Sequence, residues 1–130
     1  MAVKKIILAE DDADDQDLFD SFYSHRKDIL VLPSAGNGIE LIAYLEKLKD
    51  DELPELIILD QNMPKMNGKQ TLQFLKGHER FSSIPAVIYS TYTDSNLILE
   101  CTRLGATMVA TKPIDFESYQ KMMDDFLQVL

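Results

Sequence analysis

Leu56–Gly68 reads LIILDQNMPKMNG: four apolar residues, an aspartate, then a polar stretch with proline and glycine. An apolar run this short and continuous marks a central parallel strand covered on both faces. Asp60–Gly68, with Pro64 and Gly68, is read as a loop. The same pattern of strand and polar end recurs on either side. Lys5–Ala9 (KIILA) is a buried strand that stops abruptly in acids, and Asp28–Pro33 (DILVLP) is a second strand. Pro85–Ser90 (PAVIYS) is a fourth and Thr107–Thr111 a fifth of weaker hydrophobicity.

Helical spacing fills the gaps. Asp14–Arg26 carries Leu18, Phe19, Phe22 and Tyr23 at that spacing. Ile39, Leu41, Ile42, Leu45 and Leu48 follow the Gly36-Asn37-Gly38 turn, and Lys69–Lys76 offers Leu72 and Leu75 before Gly77. Asp94 suits the N-cap of a helix through Leu104, with Leu97, Ile98, Cys101 and Leu104 inward and Gly105 at C′. Asp115 caps a last helix bearing Phe116, Tyr119, Met122, Met123, Phe126 and Leu127. Phe19, Phe22, Phe74, Phe126 and the methionines are expected in the core. Strand and helix alternate five times. The expected fold is α/β, a doubly wound five-stranded parallel sheet with five helices on its two faces and right-handed crossovers.

The 130 residues carry 13 lysines and arginines against 22 aspartates and glutamates, a formal charge of −9. One domain over residues 1–130, with no second domain, is the expectation at this length. A net acidic chain argues against nucleic acid as a ligand, because phosphate backbones are met by clustered Lys and Arg. No apolar run approaches the roughly 18 residues of a membrane span. The stretch before the first acids is too short for a secretory signal. Cys101 is the single cysteine, which excludes an internal disulfide and a multi-cysteine zinc site. A cytoplasmic protein without membrane contact is expected.

Seven acids fall between Glu10 and Asp20, a run that ordinarily makes a solvated face. Here it begins where a strand ends. In an open α/β sheet, ligands bind beyond the carboxyl ends of the strands. Those ends carry Glu10, Asp11 and Asp12, then Asp60, then Ser90 and Thr91, and finally Thr111, Lys112 and Pro113. Gathered carboxylates repel one another, and Mg²⁺, which prefers oxygen ligands, relieves the repulsion. A positioned carboxylate beside Mg²⁺ can attack phosphorus to give an aspartyl phosphate. A lysine and a hydroxyl then serve the phosphoryl oxygens. The set points to phosphoryl transfer rather than acyl or hydride chemistry.

The segments IILAEDD, LIILDQNMPKMNG, VIYST and TKP, in that order, resemble the receiver domain of two-component response regulators. The likeness covers essentially the whole chain and is to a stand-alone, chemotaxis-type receiver. Asp60, Met63, Pro64 and Gly68 match its DxxMPxxxG motif. The resemblance implies the flavodoxin-like strand order 2-1-3-4-5. It implies Asp60 as phosphoacceptor, Asp11 as a direct Mg²⁺ ligand, and Glu10 as the neighbouring acid that holds a metal-bound water. Asn62 would give its backbone carbonyl to the metal, Ser90 is the hydroxyl drawn to the phosphoryl group, and Lys112 is its cationic partner. Pro113 resembles a proline often preceded by a cis bond.

The implied partners are a sensor histidine kinase or histidine phosphotransfer protein, and a downstream protein target. A homodimer through helix four, strand five and helix five is a further expectation. The protein would be a phosphorylated switch and not an enzyme in its own right. One departure concerns strand five, where many receivers have a switching Tyr or Phe and this chain has Val109. Tyr92, at the mouth of the pocket, and Asn62 are expected to tune phosphoryl loss.

The blander readings are specific too. Asp60 alone could be a strand-end cap, Ser90 and Thr91 loop hydroxyls, and Lys112 a surface lysine. Asp12, Asp14, Asp15 and Asp17 read as a solvated helix start, aided by the field of a helix N-terminus. His25 and His78 read as surface residues, and Cys101 as a buried small hydrophobe. Three other functions compete with this reading. A degenerate receiver acting as an interaction module predicts loss of an acid, Asp60 or Lys112. A Mg²⁺-dependent phosphatase with an aspartyl nucleophile predicts the motif DxDx[TV] after strand one, which is absent in that full form. A flavin module lacks its phosphate loop.

Overall fold

A computed structural model describes residues 3–130, and Met1 therefore lies outside the described residues. In chain order the elements are β1 (Lys4–Ala9), α1 (Ala13–Tyr23), β2 (Ile29–Val31), α2 (Gly38–Lys47), β3 (Leu56–Asp60), α3 (Gly68–Gly77), β4 (Ala86–Ser90), α4 (Ser95–Arg103), β5 (Met108–Thr111) and α5 (Phe116–Leu127). A single 3₁₀ turn spans Asp50–Glu52. The five strands form one parallel sheet in the order β2-β1-β3-β4-β5.

Strand alternation sorts the core into two layers. Ile7, Ala9, Ile57, Leu59, Ala86 and Ile88 face α2, α3 and α4, where Leu41, Leu45, Leu72, Leu75 and Cys101 meet them. Ile6, Leu8, Leu56, Ile58, Val87 and Tyr89 face α1 and α5, where Phe19, Tyr23, Tyr119, Met123 and Phe126 close the other side. Every residue of β3 is buried, which is why its sequence shows no polar alternation. β5 is an edge strand and only half-buried. That explains its weaker hydrophobicity.

The helix starts follow local chemistry. Asp12, Asn37, Asn67, Asp94 and Asp115 each accept a backbone N–H of the first turn. Gly105 has φ of 105° at the end of α4, a conformation that a residue with a Cβ resists.

Several expected core residues are exposed. Ile39 and Phe74 sit two positions from Leu41 and Leu72, about 200° round the helix from the buried stripe. Ile98 is on the flank of α4, a helix that packs chiefly on the edge strand β5. Leu18 is on the rim of α1, and Phe116 is half-exposed against Phe22 and His25. His78, expected at the surface, stacks on buried Phe81 with ring centroids 4.4 Å apart. All peptide bonds among the described residues are trans, including the one before Pro113.

Candidate functional site

The carboxyl ends of β1, β3, β4 and β5 meet at one end of the sheet, and each delivers one or more polar side chains there. Asp60 ends β3 and is 2% exposed. Glu10 follows β1 and is wholly buried, while its neighbour Asp11 is exposed. One carboxylate oxygen from each of Glu10, Asp11 and Asp60 lies within 4.8 Å of the others.

Lys112, just past β5, reaches into this cluster. Its Nζ lies 2.8 Å from Glu10 Oε1, 3.0 Å from Asp15 Oδ2 and 3.4 Å from Asp60 Oδ2. The Asn62 backbone N–H donates to Asp60 Oδ1 at 3.2 Å. Ser90 is buried at the end of β4, and its carbonyl accepts the Lys112 backbone N–H at 2.9 Å. An open cavity of about 440 Å³ lies alongside, lined by Asp11, Gln61, Asn62, Met63, Pro64 and Asn67.

The loop after Asp60 is shaped by Gly68. A Cβ there would meet the Asp60 carbonyl oxygen at 2.7 Å and Gln61 Cα at 2.9 Å. The start of α3 thus packs on the backbone that carries Asp60, and the Gly68 N–H donates to the Gln61 carbonyl at 3.2 Å. Lys65 turns the same loop with φ of 66°.

Burial and the nearby Glu10 carboxylate push the Asp60 carboxyl up to about 7, against the opposing pull of Lys112. Burial would raise Glu10 as well. The hydrogen bond with Asp60, and those from Lys112, Tyr89 and the Asp12 amide, outweigh it and hold Glu10 below its usual range. Desolvation and the charge of Glu10 push Asp11 up. Lys112 is raised despite its burial, because Glu10, Asp15 and Asp60 surround it. Opposite charges here are therefore mutually dependent. Three carboxylate oxygens at this spacing form a hard donor set that fits a cation such as Mg²⁺.

Glu10, Asp11, Asp60 and Lys112 thus converge, and Ser90 ends the strand beside Asp60. Asn62 is exposed on the cavity wall and contributes its amide to Asp60. Tyr92 is 75% exposed, and Val109 is half-buried on the α2–α4 side of the edge strand. Thr93 and Thr111 share a hydroxyl hydrogen bond of 2.7 Å, which ties the β4–α4 loop to β5. Two residues of the site escape a sequence reading. Asp15, expected in a solvated helix start, instead pairs with Lys112. Tyr89 donates its hydroxyl to Glu10 Oε1 at 2.7 Å. A tyrosine in a buried strand needs a partner for its hydroxyl, and that is the signal that could have found it.

The sequence matches the family model described as response regulator receiver domain over residues 6–124. The chain belongs to this family. Receiver domains are phosphoacceptor modules of two-component signalling. The chain is 31% identical over 124 residues to a probable C4-dicarboxylate response regulator, DctR, of Bacillus subtilis (strain 168), covering 95% of this chain and 52% of that protein. It is 35% identical over 102 residues to a protein-glutamate methylesterase/protein-glutamine glutaminase of Methanococcoides burtonii, covering 77% and 27%. The chain spans about half or less of the length of these curated relatives.

Among solved structures, the phosphorylated cyanobacterial phytochrome response regulator RcpA superposes with a TM-score of 0.83 at 27% identity, covering 98% of this chain and 93% of that one. Chemotaxis protein CheY4 of Vibrio cholerae superposes at 0.84 with 22% identity over 99% and 100%, a likeness of fold. Among the described residues, no helix of this receiver is long and apolar enough to cross a membrane.

Proposed function

We propose that Asp60 is the phosphoacceptor of a signalling switch, charged by a sensor histidine kinase or a histidine phosphotransfer protein. The observation that carries this is one buried aspartate, Asp60, held in reach of two further acids and a lysine at a strand end that opens onto a cavity. The phosphorylated form of RcpA supports the same reading.

In this reading a carboxylate oxygen of Asp60 attacks the phosphorus of a phosphohistidine. A P–O bond forms, the P–N bond breaks, and the imidazole leaves with the bonding electrons. Asp11, Asp60, the Asn62 carbonyl and Glu10 would hold Mg²⁺, which offsets the charge of the transferring phosphoryl group. Lys112 is the fixed cation of the chain, 3.4 Å from Asp60 Oδ2 before transfer. The Ser90 hydroxyl, at the end of the neighbouring strand, moves to hydrogen-bond a phosphoryl oxygen. The Asn62 amide keeps Asp60 oriented.

Phosphorylation adds about −1.5 to −2 charges to this pocket. The shift of Ser90 passes to α4 and β5 through the Thr93–Thr111 hydrogen bond. The α4–β5–α5 face, with exposed Ile98 and Leu99, is then the surface for a downstream protein or a second copy. A partner that binds the shifted state better captures it.

Incubation with acetyl phosphate and Mg²⁺, followed by intact mass, tests the reading. A gain of one phosphoryl group that hydroxylamine removes, and that Asp60→Asn abolishes, is expected. No gain by the native chain would refute the switch and leave an interaction module.

A further inference from the structure

Behind the acid cluster lies a buried residue that the proposed transfer does not use. Tyr89 is wholly buried on β4 and follows Val87 onto the α1–α5 face of the sheet. It pairs in register with Asp60 on β3, so both residues reach the same end of the sheet from adjacent strands. Its hydroxyl donates to Glu10 Oε1 at 2.7 Å, and Lys112 Nζ stands 2.8 Å from the same oxygen. The Tyr89 ring also lies beneath that ammonium, 5.1 Å from centroid to Nζ.

The two oxygens of Glu10 are therefore unequally committed. Oε1 takes a phenol and an ammonium, which fills both lone pairs of a carboxylate oxygen. Oε2 takes the Asp12 backbone N–H at 3.2 Å, and its second lone pair is left to the proton of Asp60 or, in that proton's place, to a cation. That pair is what a cation, or a water bound to it, can use.

We propose that Tyr89 is a positioning residue for divalent-cation binding: its hydroxyl pins Glu10 Oε1 and so presents Oε2 to the cation. The inference rests on Glu10 belonging to the metal set, as read above. Without the hydroxyl, Oε1 keeps only Lys112, a donor shared with Asp15 and Asp60. The Glu10 carboxylate is then free to rotate. Partners that orient a metal-binding group are commonly worth about 10–100-fold in metal affinity.

Calorimetric titration with Mg²⁺ alone, at one pH, tests this on four proteins: the native chain, Tyr89→Phe, Glu10→Gln and the double variant. Tyr89→Phe keeps the ring, and urea unfolding without cation reports its fold in parallel. Asp11 and Asp60 remain as ligands in the Glu10→Gln background. Tyr89→Phe is expected to weaken Mg²⁺ binding about tenfold. In the Glu10→Gln background the same change should alter it less than about twofold, because the hydroxyl acts only through the carboxylate. Unchanged Mg²⁺ affinity in Tyr89→Phe would overturn the inference. So would an equal loss in both backgrounds, which marks a general packing role. A native chain that takes up no Mg²⁺ would overturn the reading of the site itself, an outcome distinct from the other two.

Discussion

Asp60→Asn should stabilise the cation-free protein, and by an amount that depends on pH. Asp60 and Glu10 are buried side by side, and burial with the charge of Glu10 lifts the Asp60 carboxyl to about 7. In an unfolded chain an aspartate titrates near about 3.9. Between those values the folded state holds a proton that the unfolded state has released. Stability therefore begins to fall above about pH 4, and the loss is complete above about pH 7. Roughly three pH units at about 1.4 kcal/mol each give a ceiling near 4 kcal/mol. Glu10, held low by the same network, recovers part of this.

Half of the ceiling, about 2 kcal/mol at pH 8, is the expected gain from Asp60→Asn. The amide still accepts the Asn62 N–H, and Lys112 keeps Glu10 and Asp15 as partners. Urea unfolding followed by circular dichroism, in chelator at pH 5 and pH 8, measures it. The gain should shrink below about 1 kcal/mol at pH 5, where the folded Asp60 is already neutral. A variant less stable than the native chain at pH 8, or a gain equal at both pH values, would refute the reasoning.

Lys112→Met leaves the buried carboxylates without their cation and should cost about 3 kcal/mol in chelator at pH 8. Urea unfolding checks it, and an unchanged midpoint would contradict it. Asp11→Ala should abolish Mg²⁺ binding by calorimetry, while its exposed position limits the change in stability to about 0.5 kcal/mol. Normal Mg²⁺ titration by that variant would remove Asp11 from the ligand set. Gly68→Ala places a Cβ 2.7 Å from the Asp60 carbonyl oxygen, against backbone that cannot swing aside. A loss of about 2 kcal/mol is expected in thermal unfolding, and a melting point equal to that of the native chain would contradict the close approach.

The strands were legible because burial on both faces leaves a mark in composition. Leu56–Leu59 admits no polar residue, and all of it is buried. The acids at the ends of β1 and β3 were legible for the opposite reason, as charge placed where an apolar run stops. What spacing alone leaves open is the width of a helix's buried stripe. Ile98 fits the helical period with Cys101 and still faces outward, because only neighbouring elements decide which flank is covered.

The same limit hid two residues of the site. Asp15 stands in an acidic run that resembles any solvated helix start, and its partner Lys112 is 97 residues away. Tyr89 reads as one more strand residue, and its bond to Glu10 bridges 79 residues. Strand alternation puts Tyr89 with Val87 on one face, but it takes the sheet order to leave only β3 between β4 and β1. Val109, where many receivers carry an aromatic residue, is half-buried on an edge strand, and Thr93 of the β4–α4 loop holds Thr111 of that strand.

The central claim is that the phosphoryl group is carried by Asp60. Borohydride reduces an acyl phosphate to an alcohol, so an aspartyl phosphate becomes homoserine. The native chain is treated with acetyl phosphate and Mg²⁺, reduced, digested and sequenced by mass spectrometry. Homoserine at position 60, and at no other aspartate, is the predicted result. Homoserine at Asp11 or elsewhere with Asp60 unmodified would contradict the assignment.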